Sequence, residues 1–132
     1  MNHHPTAQHA DTIRAYLREL GKGHAAGVTR LFASDARIYS PLMGWVAPEP
    51  FYARLLDVSG TSTLTLHDIL SSSQGHERAI AYFRYDWTLK NGQLASFDCV
   101  DVFDFNTAGQ IDRLIIIYDT YPVRQDVGNA LG

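Results

Sequence analysis

The sequence predicts an α+β fold: three N-terminal helices packed into a strongly curved antiparallel sheet, a cone-shaped roll with one internal pocket. Three observations predict it. Apolar residues recur at helical spacing as far as Gly60. Beyond Gly60 the period falls to two, over four segments rich in β-branched and aromatic residues. Between two of those segments lies Asn91-Gly92, the dipeptide that favours tight hairpin turns because both of its residues tolerate positive φ.

The first helix carries Ala10, Ile13, Tyr16, Leu17 and Leu20 on one face and Arg14, Arg18 and Glu19 on the other, and Gly21 and Gly23 end it. A shorter second helix holds Val28, Leu31 and Phe32 and stops near Ser34-Asp35. Residues 36–40 alternate as a short strand, halted by Pro41. Pro48-Glu49-Pro50 suits a helix start, with Phe51, Leu55 and Leu56 as the buried stripe and Gly60 as the stop. The strands are then expected at 63–70, 78–89, 94–105 and 110–121, as a meander. Antiparallel strands of that length twist and curl, leaving a concave side for the helices to fill.

The 132 residues are expected to form one domain, with residues 1–9 as a loose N-terminal arm. Hydrophobic residues make up 45% and charged residues 19%, enough apolar material for a core. The net charge of −3, with signs interspersed, points away from nucleic acid as a partner. No apolar run approaches the length of a membrane span, so no membrane partner is expected. The polar stretch from Met1 to Ala10 lacks the apolar centre of a signal peptide. Cys99 is the one cysteine, which excludes an intrachain disulfide and fits a reducing, cytoplasmic setting. His3 and His4 read as solvated rather than as metal ligands. No metal or organic cofactor is expected, because no ligand cluster or phosphate loop occurs.

A two-residue Asn91-Gly92 loop would pair Asp86 with Phe97, Arg84 with Cys99 and Tyr82 with Asp101. One face would then hold Tyr82, Arg84, Asp86, Phe97, Cys99, Asp101, Phe103 and Phe105; the other would hold Phe83, Tyr85 and Trp87. A four-residue loop over 106–109 adds Ile116 and Tyr118 to the first face, and a three-residue loop turns them away. Both faces are half apolar, so one is expected to cover the pocket and the other a second copy of the chain. Phe83, Tyr85 and Trp87 are the expected homodimer contact, the alternative being a twisted strand with irregular burial.

The run Ile13-Arg14-Ala15-Tyr16-Leu17, the run Leu31 to Ala36, and Ser40-Pro41 followed by a glycine resemble the ketosteroid isomerase and SnoaL-like branch of the nuclear transport factor 2-like superfamily. Val100 to Phe105, followed by Gly109-Gln110-Ile111, resembles the last hairpin of the same proteins. The resemblance spans nearly the whole chain and implies a cystatin-like fold. It specifies the fold better than the reaction, because the superfamily hosts isomerases, cyclases, dehydratases, epoxide hydrolases and non-enzymatic binders.

For a steroid delta-isomerase-like reaction the resemblance implies that Tyr16 and Asp101 hold the enolate oxygen, while the base position is filled by Ser40. A serine without an adjacent histidine cannot shuttle a proton between carbon atoms. Arg84-Tyr85-Asp86 resembles instead the Arg-x-Asp of limonene epoxide hydrolases; the position of their further carboxylate is matched by Ile116. Tyr16, Arg84, Asp86 and Asp101 are therefore the candidate catalytic residues, and Phe32, Ser40, Tyr82, Phe97, Phe103, Ile116 and Tyr118 the candidate substrate-binding ones. The plainer readings are a core tyrosine at Tyr16 and a salt-bridge network at the sheet edge for the three charged residues. The functional expectation is cofactor-free acid/base chemistry on a small, largely apolar, oxygen-bearing molecule. A non-catalytic binding protein of the same fold is the alternative, favoured by Ser40.

Overall fold

The computed structural model describes residues 5–121. His3 and His4 lie outside them. Three helices, α1 (Pro5–Lys22), α2 (Ala25–Thr29) and α3 (Pro48–Val58), pack on one side of a six-stranded sheet. Its strands are β1 (Phe32–Ser40), β2 (Gly44–Val46), β3 (Ser59–Ser71), β4 (Arg78–Leu89), β5 (Leu94–Phe105) and β6 (Ile111–Tyr118), in the order β2-β1-β6-β5-β4-β3. The α+β architecture, with its curved, open sheet, is as expected.

The sheet is larger than a four-strand meander and not wholly antiparallel. β1 runs parallel to β6, and β2 extends the edge beyond it. Val28, Leu31 and Phe32 have helical spacing, yet α2 ends at Thr29 and Phe32 already belongs to β1. The Ile111 amide donates to the Leu31 carbonyl at 2.9 Å, so pairing with β6 overrides local propensity there. The N-terminal segment is also less loose than expected. Helix α1 starts at Pro5, and His9 is buried, its ring stacked 4.1 Å from Phe105 and its Nε2 3.2 Å from Glu77 Oε1.

The β4–β5 hairpin turns differently from the two-residue expectation. The Leu89 amide donates to the Gln93 carbonyl (2.8 Å) and the Gly92 amide to the Leu89 carbonyl (2.9 Å). The loop is thus Lys90-Asn91-Gly92, with Gly92 at φ +91° and Asn91 Oδ1 accepting from the Gln93 amide. That is the three-residue hairpin in which a left-handed glycine makes a bulge. Asp86 therefore pairs with Ser96, Arg84 with Asp98 and Tyr82 with Val100. A one-residue slip turns a whole strand over. Phe83, Tyr85 and Trp87 point inward with Phe97, Cys99 and Asp101, and Tyr82, Arg84 and Asp86 point outward.

The β5–β6 hairpin also has a three-residue loop, closed by the Asn106 amide on the Gln110 carbonyl, with Gly109 at φ +79°. By itself it would turn Ile116 and Tyr118 away from Asp101. A register shift beside Phe105 inserts Asp112 and restores parity, so Asp101 pairs with Ile116 and Cys99 with Tyr118. The core fills the concave side with Ile13, Tyr16, Leu17 and Leu20 of α1, and Phe51, Tyr52 and Leu55 of α3.

Candidate functional site

Helix spacing sets Tyr16 one turn before Leu20, so both look into the concave side of the sheet. The Tyr16 ring meets Phe103 edge-on at 5.2 Å and Phe32 at 6.2 Å. Its hydroxyl lies 2.5 Å from the Tyr52 hydroxyl, which α3 presents from the other side. Both side chains are fully buried, and burial pushes both phenols well above their ordinary range. When Tyr52 donates to Tyr16, the Tyr16 proton is free for a third oxygen.

Asp101 stands on β5 with 2% of its surface exposed. Its one hydrogen bond within the described residues comes from Cys99 Sγ to Oδ1, at 3.2 Å. Burial disfavours the charged form and pushes the carboxyl up to about 7, against the smaller lowering effect of the thiol contact. Burial and the neighbouring carboxyl push the Cys99 thiol far up in turn, so it stays protonated. Ser40, at the end of β1, is buried; its Oγ accepts the Leu42 amide at 3.2 Å, which leaves its proton available but makes it no base.

Tyr16, Ser40, Phe97, Cys99, Asp101, Ile116 and Tyr118 share one cavity of about 50 Å³, walled further by Leu20, Phe51, Leu55, Phe83, Tyr85 and Trp87. Ile116 and Tyr118 are half-buried, whereas the other wall residues are buried. Burial also raises the phenols of Tyr85 and Tyr118. Trp87 is fixed by donating its Nε1–H to Ser59 Oγ (2.7 Å), which donates on to the Leu55 carbonyl (2.7 Å). The wall is mostly apolar, with hydroxyl, thiol and carboxyl groups set into it.

Three expected site residues lie elsewhere. Arg84 Nε sits 3.3 Å from Asp86 Oδ1 on the convex face, and Ser96 Oγ donates to the same oxygen at 2.7 Å. Tyr82 is on that face too, packed 4.7 Å from His67, whose Nε2 is 3.3 Å from Asp98 Oδ1. The hairpin register carries all three out of the cavity, and with them the Arg-x-Asp match. Phe32 and Phe103 are buried one layer behind, holding the Tyr16 ring instead of lining the space.

Sequence reasoning missed Tyr52, Phe83, Tyr85 and Trp87. Tyr52 had a visible signal: with Phe51 and Leu55 it completes a buried stripe of α3, whereas Leu56 is only half-buried. The other three depended on the hairpin register. Among the described residues, no three His, Cys, Asp or Glu side chains cluster as a metal ion would require.

The SnoaL-like domain family matches residues 13–114. No curated protein matches the chain by sequence. Solved structures share the fold at low identity. SalBIII, described as epoxide hydrolase/cyclase-like and as acting in pyran ring formation in the polyether salinomycin, superposes with a TM-score of 0.72. It is 16% identical, over 86% of this chain and 92% of that one. An NTF2-like protein of unknown function from Burkholderia pseudomallei K96243 gives 0.76 at 19% identity, over 89% and 95% of the two chains. AclR, a hydroxylase candidate from Streptomyces galilaeus, gives 0.75 at 14% identity, over 91% and 95%. The chain has the NTF2-like cone fold.

Proposed function

The chain belongs to the SnoaL-like domain family, and we propose that its cavity performs cofactor-free acid/base chemistry on a small, largely apolar molecule bearing an oxygen function. Asp101 carries this reading. A carboxyl buried among apolar side chains is costly unless it is paired, and among the described residues only a weak thiol donor pairs with this one. Asp101 lines the same cavity as Tyr16. Tyr16, backed by Tyr52, donates a hydrogen bond to the substrate oxygen; Asp101 moves the proton. Isomerase, cyclase and dehydratase types of reaction fit these groups. A hydrolase type fits less well once Arg84 and Asp86 are outside, and the neighbour named for pyran ring formation favours a cyclase. A non-catalytic binder is the second reading, favoured by Ser40 at the position where a carbon base would stand.

Binding and turnover separate the two. Trp87 in the cavity wall reports ligand through its fluorescence, in a Trp45→Phe background that removes the other tryptophan. Against a panel of enones, epoxides and hydroxyketones, Asp101→Asn is expected to keep binding and lose turnover by about 100-fold or more. Ligand bound with no turnover across the panel would leave the binder.

The reading includes a cytoplasmic setting, which keeps Cys99 reduced, and a homodimer through the convex face of the sheet. The expected contact residues Phe83, Tyr85 and Trp87 are inside the cone, so the contact passes to Tyr82, Val100 and Ile117, side by side on β4, β5 and β6, with Tyr39 and Trp45 further along. Ile117→Glu is expected to shift the mass measured by light scattering from two chains to one; an unchanged mass would remove that contact.

A further inference from the structure

Asp101 is the one carboxyl among the described residues that lines the cavity, and those residues pair only one of its two oxygens. Cys99 occupies Asp101 Oδ1, and Oδ2 takes no hydrogen bond from any described residue. Among the described residues, no histidine, lysine, arginine or second carboxyl lines the space. Among the described residues, the titratable groups facing Asp101 are Tyr16 on α1, Tyr52 on α3, Tyr85 on β4, Cys99 on β5 and Tyr118 on β6. Burial raises every one of them, so none gives up a proton near neutral pH.

Opening an epoxide with water needs a base on the water and an acid at a separate oxygen. A single carboxyl oxygen cannot serve two distant points. It can take a proton and return it a bond or two away on the same face of the molecule. A nucleophile tethered to its electrophile also needs no separate water site in a cavity of about 50 Å³, and tethering removes the entropy cost of gathering two reactants.

On the reading that Tyr16 holds the substrate oxygen, we infer that the substrate carries its own nucleophile: a hydroxy-enone that closes to a cyclic ether, with Asp101 Oδ2 taking the hydroxyl proton and returning it to the carbon beside the carbonyl. The hydroxyl oxygen bonds to the β-carbon as its proton passes to ionised Asp101. The C=C electron pair moves to the carbonyl oxygen against Tyr16. The enolate then takes the proton from Asp101 at the α-carbon and the carbonyl re-forms. Oxygen and hydrogen add to the same face, and product and substrate share one formula. No oxidant, reductant or water enters.

The test uses (E)-7-hydroxyhept-3-en-2-one, which closes to a tetrahydrofuran ketone, and hept-3-en-2-one, which has no internal hydroxyl, each in water enriched in oxygen-18. Heptan-2-one serves as the binding probe through Trp87 fluorescence. The wild-type chain is expected to form one enantiomer of the cyclic ketone faster than buffer does, without label, and to leave hept-3-en-2-one unchanged. Asp101→Asn should slow ring closure by about 100-fold or more while heptan-2-one affinity stays within about threefold. Labelled hydroxyketone from hept-3-en-2-one would overturn the inference, because water would then be the nucleophile, and would leave the acid/base reading standing. Ring closure as fast in Asp101→Asn as in wild type would also overturn it. Ketone binding without turnover of either enone overturns it in favour of the binder, whereas failure to bind heptan-2-one removes the reading beneath it.

Discussion

The two faces of β4 are unlike each other in both burial and chemistry. Phe83, Tyr85 and Trp87 are buried in the cavity wall, while Tyr82, Arg84 and Asp86, interleaved with them, face outward. Each face has a claim to the interior: one carries three aromatic rings, the other an ion pair and a phenol. Burial of three rings gains several kcal/mol by area alone. Burial of the Arg84–Asp86 pair would cost desolvation of both ions, repaid only with further hydrogen bonds that an apolar cone lacks. The extra loop residue, Lys90, puts the strand the cheaper way up.

The contrast should be largest in stability. Phe83→Ala or Tyr85→Ala is expected to cost about 3–5 kcal/mol in urea unfolding, because each opens space beside Phe97 and Asp101 that the rigid sheet cannot close. Arg84→Ala should change stability by under about 1 kcal/mol. Equal losses at both faces would mean the strand is the other way up.

Asp101 sharpens the comparison, being the charged residue that the inner face does accept. Its carboxyl titrates near 7 when folded and near 4 when unfolded. The folded chain then binds the proton more tightly, so stability falls as pH rises from about 4 to about 7 and levels off above, by up to roughly 4 kcal/mol. Asp101→Asn should flatten that slope. Unfolding midpoints across the range check it, and a slope that survives in the variant would assign the effect to another group.

The outline of the fold was legible because it rests on periodicity. The ends of β4 and β5 follow from the alternation between Arg78 and Leu89 and between Leu94 and Phe105, and Pro48 marks the first residue of α3. The convergence of Tyr16 and Asp101 on one cavity was legible from the resemblance. What a single sequence does not hold is parity. Asn-Gly serves a two- or a three-residue loop, and the choice decides whether Arg84 or Tyr85 faces the cavity. In the next hairpin the inserted Asp112 reverses the effect of the loop, and nothing in its neighbours' residue types announces that. β1 was legible only in part, because its pairing with β6 is a long-range contact that local spacing does not register.

The smallest expected effect is the most specific to the outer face. Arg84 and Asp86 lie on a surface that water reaches, and Ser96 already satisfies the contacted oxygen of Asp86. A double-mutant cycle with Arg84→Ala and Asp86→Ala should therefore give a coupling of about 0.2–1 kcal/mol, shrinking as salt rises. Neither variant should change ligand affinity at Trp87, since both side chains are separated from the cavity by the sheet itself. A coupling of several kcal/mol, insensitive to salt, would instead describe a pair shielded from water. Another chain over this face would give such shielding, so the same measurement repeated with Ile117→Glu tests whether the proposed second copy supplies the cover.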